Sequence, residues 1–423
     1  KINPHTPTLL SSIKDRLPFG GIPVRLIVKY KRSFHLFKSM LKFIRHSPRK
    51  IIFEKGSLEL VGREAARFGR RSLIVCGRTF ARKYGFLSKL EKTLSSEGLE
   101  VYIFDKVEPN PSLETVESGS KLVKANNIDV IVAFGGGSAL DAAKGISLLG
   151  VKEGSIKDYL YPYIVEEDTI PLIAIPTTCG TGSEVTKYAV LTDTQLRRKC
   201  VLVGPGIVPL VSILDPVVLE VLPPNLTAYT SFDALSHAIE AYLSKLSTPI
   251  SDLFSVESVK IITNHMIGGY KGSLEDKTWL FYASHLAGLA INIAGTIMVH
   301  GLGYYLTTHH NIHHGLANAM LLPYAIEFNT PVAEEKIVNL AEALGVSSGD
   351  PLEDARRLIN IILKLRKDVG IPLKLSDLGV REDELELMVS IAMKYERNLK
   401  NNPRAVSASD VRDIYKKALR GAI

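Results

Sequence analysis

A carboxylate and several imidazoles in this sequence have the spacing of a transition-metal site. Asp233 and His237 are four residues apart in a stretch with helical periodicity, which puts both side chains on one helical face. His300 comes later and is followed by four clustered histidines, His309, His310, His313 and His314. Aspartate and histidine are ligands of Zn²⁺, Fe²⁺ and related divalent ions. Each histidine alone is more often a core or surface residue, and the spacing leaves open which of the cluster faces inward.

A glycine run suited to phosphate comes earlier in the chain. Gly135, Gly136, Gly137 and Ser138 directly follow the apolar segment 130–134, and a helical pattern begins at Ala139. Glycines allow the backbone to approach a phosphate, and a helix N-terminus directs free N–H groups toward it. We therefore expect a pyrophosphate site here, although glycine runs also form plain turns.

A second polar loop, 176–186, follows the next apolar segment. It contains Thr177, Thr178 and further hydroxyl side chains between two glycines, as ribose and phosphate binding require. The same composition is typical of a helix cap with a turn. Because ligands bind at the carboxyl ends of strands in a doubly wound sheet, two such loops after successive strands favour a nucleotide site.

The elements around these loops predict an α/β fold. Strands are expected at 72–76, 100–104, 129–134, 171–175 and 211–214, with helices at 81–94 and 113–126 between the first three. This alternation predicts a Rossmann-like, doubly wound parallel sheet. After Pro216 helical patterns dominate, so we expect a basic N-terminal extension at 1–46, a dinucleotide-binding domain at 47–217 and an all-helical metal-binding domain at 218–423.

The basic charge of the chain is confined to its first segment. Residues 1–50 contain 12 Lys or Arg and one acid, a charge of +11, so the net charge of +8 leaves −3 for the rest. Phe34, Phe37, Leu41 and Ile44 recur among basic residues, which predicts an amphipathic helix. This helix either packs on its own protein or binds an acidic membrane surface or nucleic acid. The body gives no reason to expect nucleic-acid binding.

The remaining composition is that of an ordinary globular protein. With 46% hydrophobic and 23% charged residues, neither disorder nor a fibrous structure is expected. No apolar run reaches the roughly 20 residues that a membrane span needs. Cys76, Cys179 and Cys200 form no CxxC pair, so we expect buried thiols and a cytoplasmic location.

Several motifs together resemble the iron-containing (group III) alcohol dehydrogenase family over roughly residues 47–423. The matching segments are Gly135 to Ser138 with Asp141, Ala142, Ala143 and Lys144, the loop 176–186, Asp233 with His237, the stretch 300–323 with His314-Gly315 and Ala317-Asn318-Ala319, and Asn402-Pro403-Arg404. The resemblance implies a metal held by Asp233, His237, His300 and His314, with His309, His310 and His313 as neighbours. It implies cofactor contacts from Gly135, Gly136, Gly137, Ser138, Asp141, Thr177 and Thr178, with Lys199 at the nicotinamide ribose.

Two departures from the family pattern matter. Tyr304 stands where many members have a second histidine one turn after the first ligand, so a proton-carrying role for that position is in doubt. Gly77 and Arg78 stand where NAD-preferring members often have an acid after the first strand. An acid there would repel a 2′-phosphate, whereas Gly77 leaves room and Arg78 supplies positive charge, so we predict NADP over NAD.

The expected activity is reversible hydride transfer between a primary alcohol or its aldehyde and NAD(P). Fe²⁺ or Zn²⁺ would act as the Lewis acid. We assign no catalytic residue beyond the ligands, although Tyr304 and His310 are candidate proton carriers. A glycerol, glycerol-phosphate or polyol dehydrogenase, or a synthase on the same fold, is the nearest alternative. A binding protein that uses the basic extension is the alternative of another class, and a homodimer is expected by analogy.

Overall fold

A computed structural model describes residues 44–423 of the chain. The predicted amphipathic helix lies outside the described residues, apart from Ile44, which is in irregular structure and exposed.

The N-terminal part is built on a parallel sheet. Six strands pair in the order β1-β8-β5-β4-β2-β3, and every neighbouring pair is parallel. Helices flank the sheet, so the predicted doubly wound fold is confirmed. The strands are β1 (Lys50–Phe53), β2 (Arg71–Gly77), β3 (Glu100–Val107), β4 (Val130–Gly135), β5 (Leu172–Pro176), β6 (Tyr188–Asp193), β7 (Arg198–Val203) and β8 (Val211–Leu214). The helices are α1 (Val61–Ala65), α2 (Phe80–Lys83), α3 (Phe86–Ser96), α4 (Leu113–Asn126) and α5 (Gly137–Val151).

Two elements of this part differ from the sequence prediction. The single helix expected at 81–94 is two helices, because Gly85 adopts a left-handed conformation (φ 76°) between them. The antiparallel hairpin of β6 and β7 was not predicted. Its strands carry Thr192, Arg198 and Lys199 among apolar residues, and β6 alternates half-buried and buried positions, so it lacks the continuous apolar run of a central strand.

The C-terminal part is helical throughout its described residues, as predicted. The helices are α6 (Pro224–Leu243), α7 (Pro249–Tyr270), α8 (Leu274–Ala294), α9 (Met298–His310), α10 (His314–Asn329), α11 (Glu334–Ala343), α12 (Pro351–Asp368), α13 (Leu385–Ala392), α14 (Glu396–Asn401) and α15 (Ala408–Arg420). Helix α6 is buried from Thr230 to Leu243, and this burial places its polar residues inside the protein. Those polar residues therefore need partners in the interior.

Within residues 44–423, no individual helix has the length and apolar character needed to cross a membrane, and α8 and α9 pass that test only as a pair bent by 111°.

Candidate metal and cofactor site

One cavity of about 710 Å³ contains every site residue predicted above. The carboxyl ends of β2 and β4, the loop after β5 and the β6–β7 hairpin form its walls, together with α6, α9, α10 and α14. It brings the predicted cofactor and metal residues together: Gly77, Arg78, Gly135, Gly136, Gly137, Ser138, Asp141, Thr177, Thr178, Lys199, Asp233, His237, His300 and His314. The phosphate-binding loop and the candidate ligands therefore share one space.

The two polar loops pack closely because glycine occupies the contact positions. A Cβ at Gly137 would lie 2.5 Å from Thr181 Cγ2, and one at Gly136 would lie 3.2 Å from Thr178 Cγ2. Gly135 has φ 152°, a conformation that side chains disfavour. Helix α5 begins at Gly137, so its N-terminal N–H groups face the cavity that both loops line. This geometry suits a pyrophosphate.

Asp141 links the second loop to the hairpin. Its Oδ1 accepts a hydrogen bond from Ser183 Oγ at 2.5 Å, and its Oδ2 accepts from the Val190 amide at 2.9 Å. Burial raises the pKa of Asp141, and Lys144 is the largest influence in the opposite direction. Because both carboxylate oxygens already have protein donors, Asp141 acts mainly by positioning the cavity wall.

Lys199 reaches the cavity from the unpredicted hairpin. Its Nζ donates to Asn110 Oδ1 at 2.8 Å and to Thr192 Oγ1 at 3.1 Å. Burial lowers the pKa of Lys199 to about 8, against the charge of Asp141. Asn110, whose φ is 58°, also lines the cavity and was not predicted. Its positive φ requires the structure to be seen.

The far end of the cavity contains Gly77 and Arg78. The Arg78 Nε donates to the Lys106 carbonyl at 3.2 Å, and its guanidinium lies 3.7 Å from Glu108 Oε2. Partial burial opposes the charge on Glu108, but hydrogen bonds from Ser112 and Thr115 lower its pKa overall. A Cβ at Gly77 would meet only the Val107 carbonyl, at 3.7 Å. This end is therefore open and carries one charge of each sign.

The candidate metal ligands converge from three helices. Asp233 Oδ1 lies 3.9 Å from His237 Nε2, 3.8 Å from His300 Nε2 and 3.7 Å from His314 Nε2. Donors of a tetrahedral ion with bonds of about 2.1 Å are about 3.4 Å apart, so small adjustments would satisfy these separations. Asp233, His300 and His314 meet the stricter criterion that all three ligand atoms lie within 4.8 Å of one another.

The local hydrogen bonding also fits a cation. The Asn318 amide nitrogen lies 2.9 Å from Asp233 Oδ1 and 3.3 Å from Nε2 of both His300 and His314. Lone pairs of three side chains thus meet where only the polarised amide hydrogens supply positive charge. The Nε2 atoms of His237 and His300 are 2.9 Å apart, a contact that needs a proton or a cation between them. The residues present therefore fit a divalent ion.

Two acceptors behind the ligands fix the imidazole rings. Glu240 Oε1 contacts His300 Nδ1, and the Gly180 carbonyl lies 3.3 Å from His237 Nδ1. These contacts favour Nδ1–H tautomers and leave Nε2 as the free ligand atom. Glu240 was not predicted. It follows Asp233 and His237 at the next turn of the same helical face, which is the signal that would have found it.

The structure also distinguishes among the clustered histidines. His313 caps α10 by accepting from the Gly315 amide at 3.2 Å, and His309 stacks on Tyr305. His310 contacts Glu384 at 2.5 Å and does not line the cavity, so its predicted role as a proton carrier there is wrong. Only His314 both lines the cavity and faces Asp233. Burial lowers the pKa of His314 to about 3, so the ring is neutral at physiological pH.

Tyr304 lies beside this centre. Its ring stacks on His314, with centroids 5.7 Å apart, and contacts the Tyr395 ring edge-on. Burial raises the pKa of Tyr304 well above its usual value. The phenol therefore stays protonated and packs against a candidate ligand, which makes it a poor proton carrier.

Comparison with known proteins agrees with this geometry. Two family models match, "Iron-containing alcohol dehydrogenase" over residues 48–216 and "Fe-containing alcohol dehydrogenase family, C-terminal" over residues 227–419. The NAD-dependent methanol dehydrogenase of Bacillus methanolicus is 33% identical over 376 residues, which cover 88% of this chain and 98% of the relative. The NADPH-dependent butanol dehydrogenase of Clostridium saccharobutylicum is 33% identical and covers 87% of this chain and 96% of the relative.

A solved structure shares the whole described architecture. The crystal structure of a 1,3-propanediol oxidoreductase superposes with a TM-score of 0.85 at 35% identity, covering 89% of this chain and 100% of the other. The predicted fold, the use of NAD(P) and the dependence on a metal are thus confirmed at the level of the family. This chain belongs to the iron-containing alcohol dehydrogenase family.

Proposed function

We propose that this enzyme interconverts primary alcohols and aldehydes with NADP as the preferred cofactor, and that Asp233, His237, His300 and His314 bind its metal. The observation that carries this proposal is the convergence of one carboxylate and three imidazoles in the same cavity as the glycine loop. A metal-bound centre and a nicotinamide can then meet at one substrate carbon.

The protein residues have defined tasks in this reaction. A bound divalent ion would supply Lewis-acid polarisation of the substrate oxygen, and a bound nicotinamide would supply or accept the hydride. Glu240 and the Gly180 carbonyl keep two imidazole Nε2 atoms directed inward. The Gly136–Thr178 and Gly137–Thr181 contacts hold the two loops at a fixed separation. Preorganised side chains thus align the reactants, which is the main contribution a protein makes to such chemistry.

The preference for NADP rests on Arg78. Its side chain is 65% exposed at the open end of the cavity, so the guanidinium can turn toward a 2′-phosphate. Gly77 leaves space beside it. The relatives named above include one NAD-dependent and one NADPH-dependent enzyme, so kinship by itself does not select the cofactor.

The domain limits follow from the same arrangement. We propose a dinucleotide-binding domain at 47–217 and a helical metal-binding domain at 218–423, with 1–46 as a basic extension. The last strand of the sheet ends at Leu214 and α6 begins at Pro224, which supports a boundary near 217. Limited proteolysis followed by mass spectrometry would test these limits.

We also propose a cytoplasmic homodimer. Cys76, Cys179 and Cys200 are buried free thiols, which suits a reducing compartment. Among the described residues, β1 has a neighbour only on its β8 side, and the half-exposed Phe53 lies beside the exposed Trp279 and Tyr282. Light scattering would test the dimer, and a strictly monomeric enzyme would contradict it.

The decisive experiment measures turnover after metal exchange. Enzyme stripped with a chelator is reloaded anaerobically with Fe²⁺ or Zn²⁺ and assayed with NADPH or NADH on a series of short aldehydes. We expect activity only with metal, and higher kcat/KM with NADPH. Reduction of glycerone or a polyol-derived ketone in preference to every aldehyde would instead favour the polyol dehydrogenase alternative.

A further inference from the structure

Arg397 is a cavity residue to which the proposed chemistry gives no task. It lies on α14, a helix held against the start of α9 by two hydrogen bonds to Thr296. Asn398 Nδ2 donates to Thr296 Oγ1 at 2.8 Å, and Asn401 Nδ2 donates to the Thr296 carbonyl at 3.3 Å. Arg397, Thr296 and Asn401 all line the cavity on the side of His300.

The faces of the Arg397 guanidinium have partners, but its edge does not. Its central carbon lies 4.9 Å from the centroid of the Tyr188 ring and 5.8 Å from that of Tyr161, so aromatic rings cover the group. The Nη1 atom is buried with no hydrogen-bond acceptor among residues 44–423, and no carboxylate of that part of the chain lies within 4.0 Å of the guanidinium. A buried cationic donor in this state calls for an anionic acceptor.

A second cation increases the positive potential near Arg397. Lys187 Nζ lies 5.6 Å from the centroid of the same Tyr188 ring, and it has no carboxylate within 4.0 Å among the described residues. Burial, and then the Arg397 charge, lower the pKa of Lys187. Two cations thus border Tyr188, whose ring forms part of the cavity wall.

The position of Arg397 favours the substrate over the cofactor phosphates. Burial raises the pKa of Tyr304, and the Arg397 charge is the largest opposing influence there. At Asp141, beside the glycine loop, the neighbouring cations are instead Lys144 and Lys199. Arg397 therefore acts on the metal side of the cavity.

We infer that Arg397 binds a carboxylate at the far end of the substrate, so that this enzyme prefers short aldehydes bearing an acid group, and the corresponding hydroxy acids, to uncharged ones. A planar guanidinium edge matches a carboxylate with two parallel hydrogen bonds. In the reaction the aldehyde carbon gains a hydride from NAD(P)H and its oxygen gains a proton, while NAD(P)⁺ is released and the carboxylate is unchanged. This inference rests on the proposed function.

The test compares two aldehydes that differ in one charge. Metal-loaded enzyme is assayed with 4-oxobutanoate and with butanal, as wild type, Arg397→Gln, Arg397→Lys and Lys400→Gln. Lys400 is the matched control, because it removes one positive charge from the same helix at an exposed site paired with Glu396. We expect wild type to favour 4-oxobutanoate in kcat/KM by roughly 10- to 100-fold, the range of a charge-assisted contact. Arg397→Gln should remove this preference while butanal turnover stays within about threefold.

A binding measurement gives a second readout that does not depend on turnover. Calorimetry follows 4-hydroxybutanoate binding to the enzyme–NADPH complex, which cannot react. We expect Arg397→Gln to weaken this binding at least about tenfold, Arg397→Lys to retain part of it and Lys400→Gln to leave it unchanged. An equal loss with both aldehydes, accompanied by weaker NADPH binding, would assign Arg397 to the cofactor and overturn the inference. Failure to reduce any aldehyde would refute the proposed function, while the calorimetry would still test Arg397.

Discussion

Glu240 and His300 form a buried carboxylate–imidazole pair directly behind the candidate metal ligands. The Glu240 side chain also accepts a hydrogen bond from the Ile297 amide at 2.8 Å, so one carboxylate fixes both the ring of His300 and the first turn of its helix. Burial opposes a charge on His300, but Glu240 and Asp233 outweigh it and raise the pKa of the ring. Glu240 therefore positions a ligand without facing the cavity itself.

Replacing Glu240 with Gln should weaken metal binding without removing a proposed ligand. The amide accepts a hydrogen bond but lacks the charge that favours the Nδ1–H form of His300, so we expect a loss of roughly 10- to 100-fold in metal affinity. Competition with a chromophoric chelator measures this affinity. Glu184→Gln is the control, because it alters another buried Glu–His pair, Glu184 with His285, outside the cavity. Equal metal affinities in the two variants would contradict a positioning role for Glu240.

Replacing His314 with Ala should abolish metal retention and turnover while the protein stays folded. The ring is neutral because burial lowers its pKa to about 3, and its Nδ1 has no partner among the described residues, so no structural hydrogen bond is lost. Elemental analysis after gel filtration measures the metal, and circular dichroism checks the fold. His313→Ala is the matched control, and it should retain metal. Normal turnover by a metal-free His314→Ala enzyme would refute the proposed mechanism.

Replacing Arg78 with Ala should reduce the preference for NADP. Loss of a charge-assisted contact to a phosphate costs about 1.5–3 kcal/mol, so kcat/KM for NADP should fall roughly 10- to 100-fold with little change for NAD. Arg82→Ala is the control, because Arg82 pairs with Asp105 at 2.6 Å and does not line the cavity. Wild-type enzyme that is equally efficient with NAD would show that Glu108, not Arg78, dominates this end of the site.

The sequence predicted the sheet well because its signals are local. Continuous apolar runs and the glycines at 135–137 mark strand ends without knowledge of the partners. The metal residues were accessible for the same reason, since Asp233 and His237 share a helical face. The hairpin escaped prediction because its alternating polar residues are stabilised by contacts with Asp141 and Asn110, which are distant in sequence. Glu240 and Arg397 were missed because an isolated charge in a sequence carries no mark of burial.

The choice among the clustered histidines shows what only packing can decide. A Cβ at Gly315 would lie 1.9 Å from the Tyr229 carbonyl, so only glycine lets α10 approach α6 this closely. That approach brings His314 to Asp233, while His310 turns toward Glu384. Sequence spacing could not separate these histidines, because the distinction depends on which helix each side meets.

Cofactor binding should weaken as the pH rises through about 8, because Lys199 then loses its charge. Burial lowers the pKa of this amine to about 8 against the charge of Asp141, so it is protonated below that pH and neutral above it. An anionic cofactor favours the protonated amine, so its dissociation constant should increase above pH 8. The pKa of Lys199 is also below that of an unfolded lysine, about 10.4, so the same group stabilises the fold increasingly as the pH rises from about 8 to 10.4. Fluorescence titration of NADPH from pH 6.5 to 9.5 separates the two effects, since binding to folded enzyme should weaken over a range in which thermal stability rises. Lys199→Arg, which stays charged, should bind NADPH with little dependence on pH across this interval. Parallel pH profiles for wild type and Lys199→Arg would show that another group titrates and that Lys199 does not contact the cofactor.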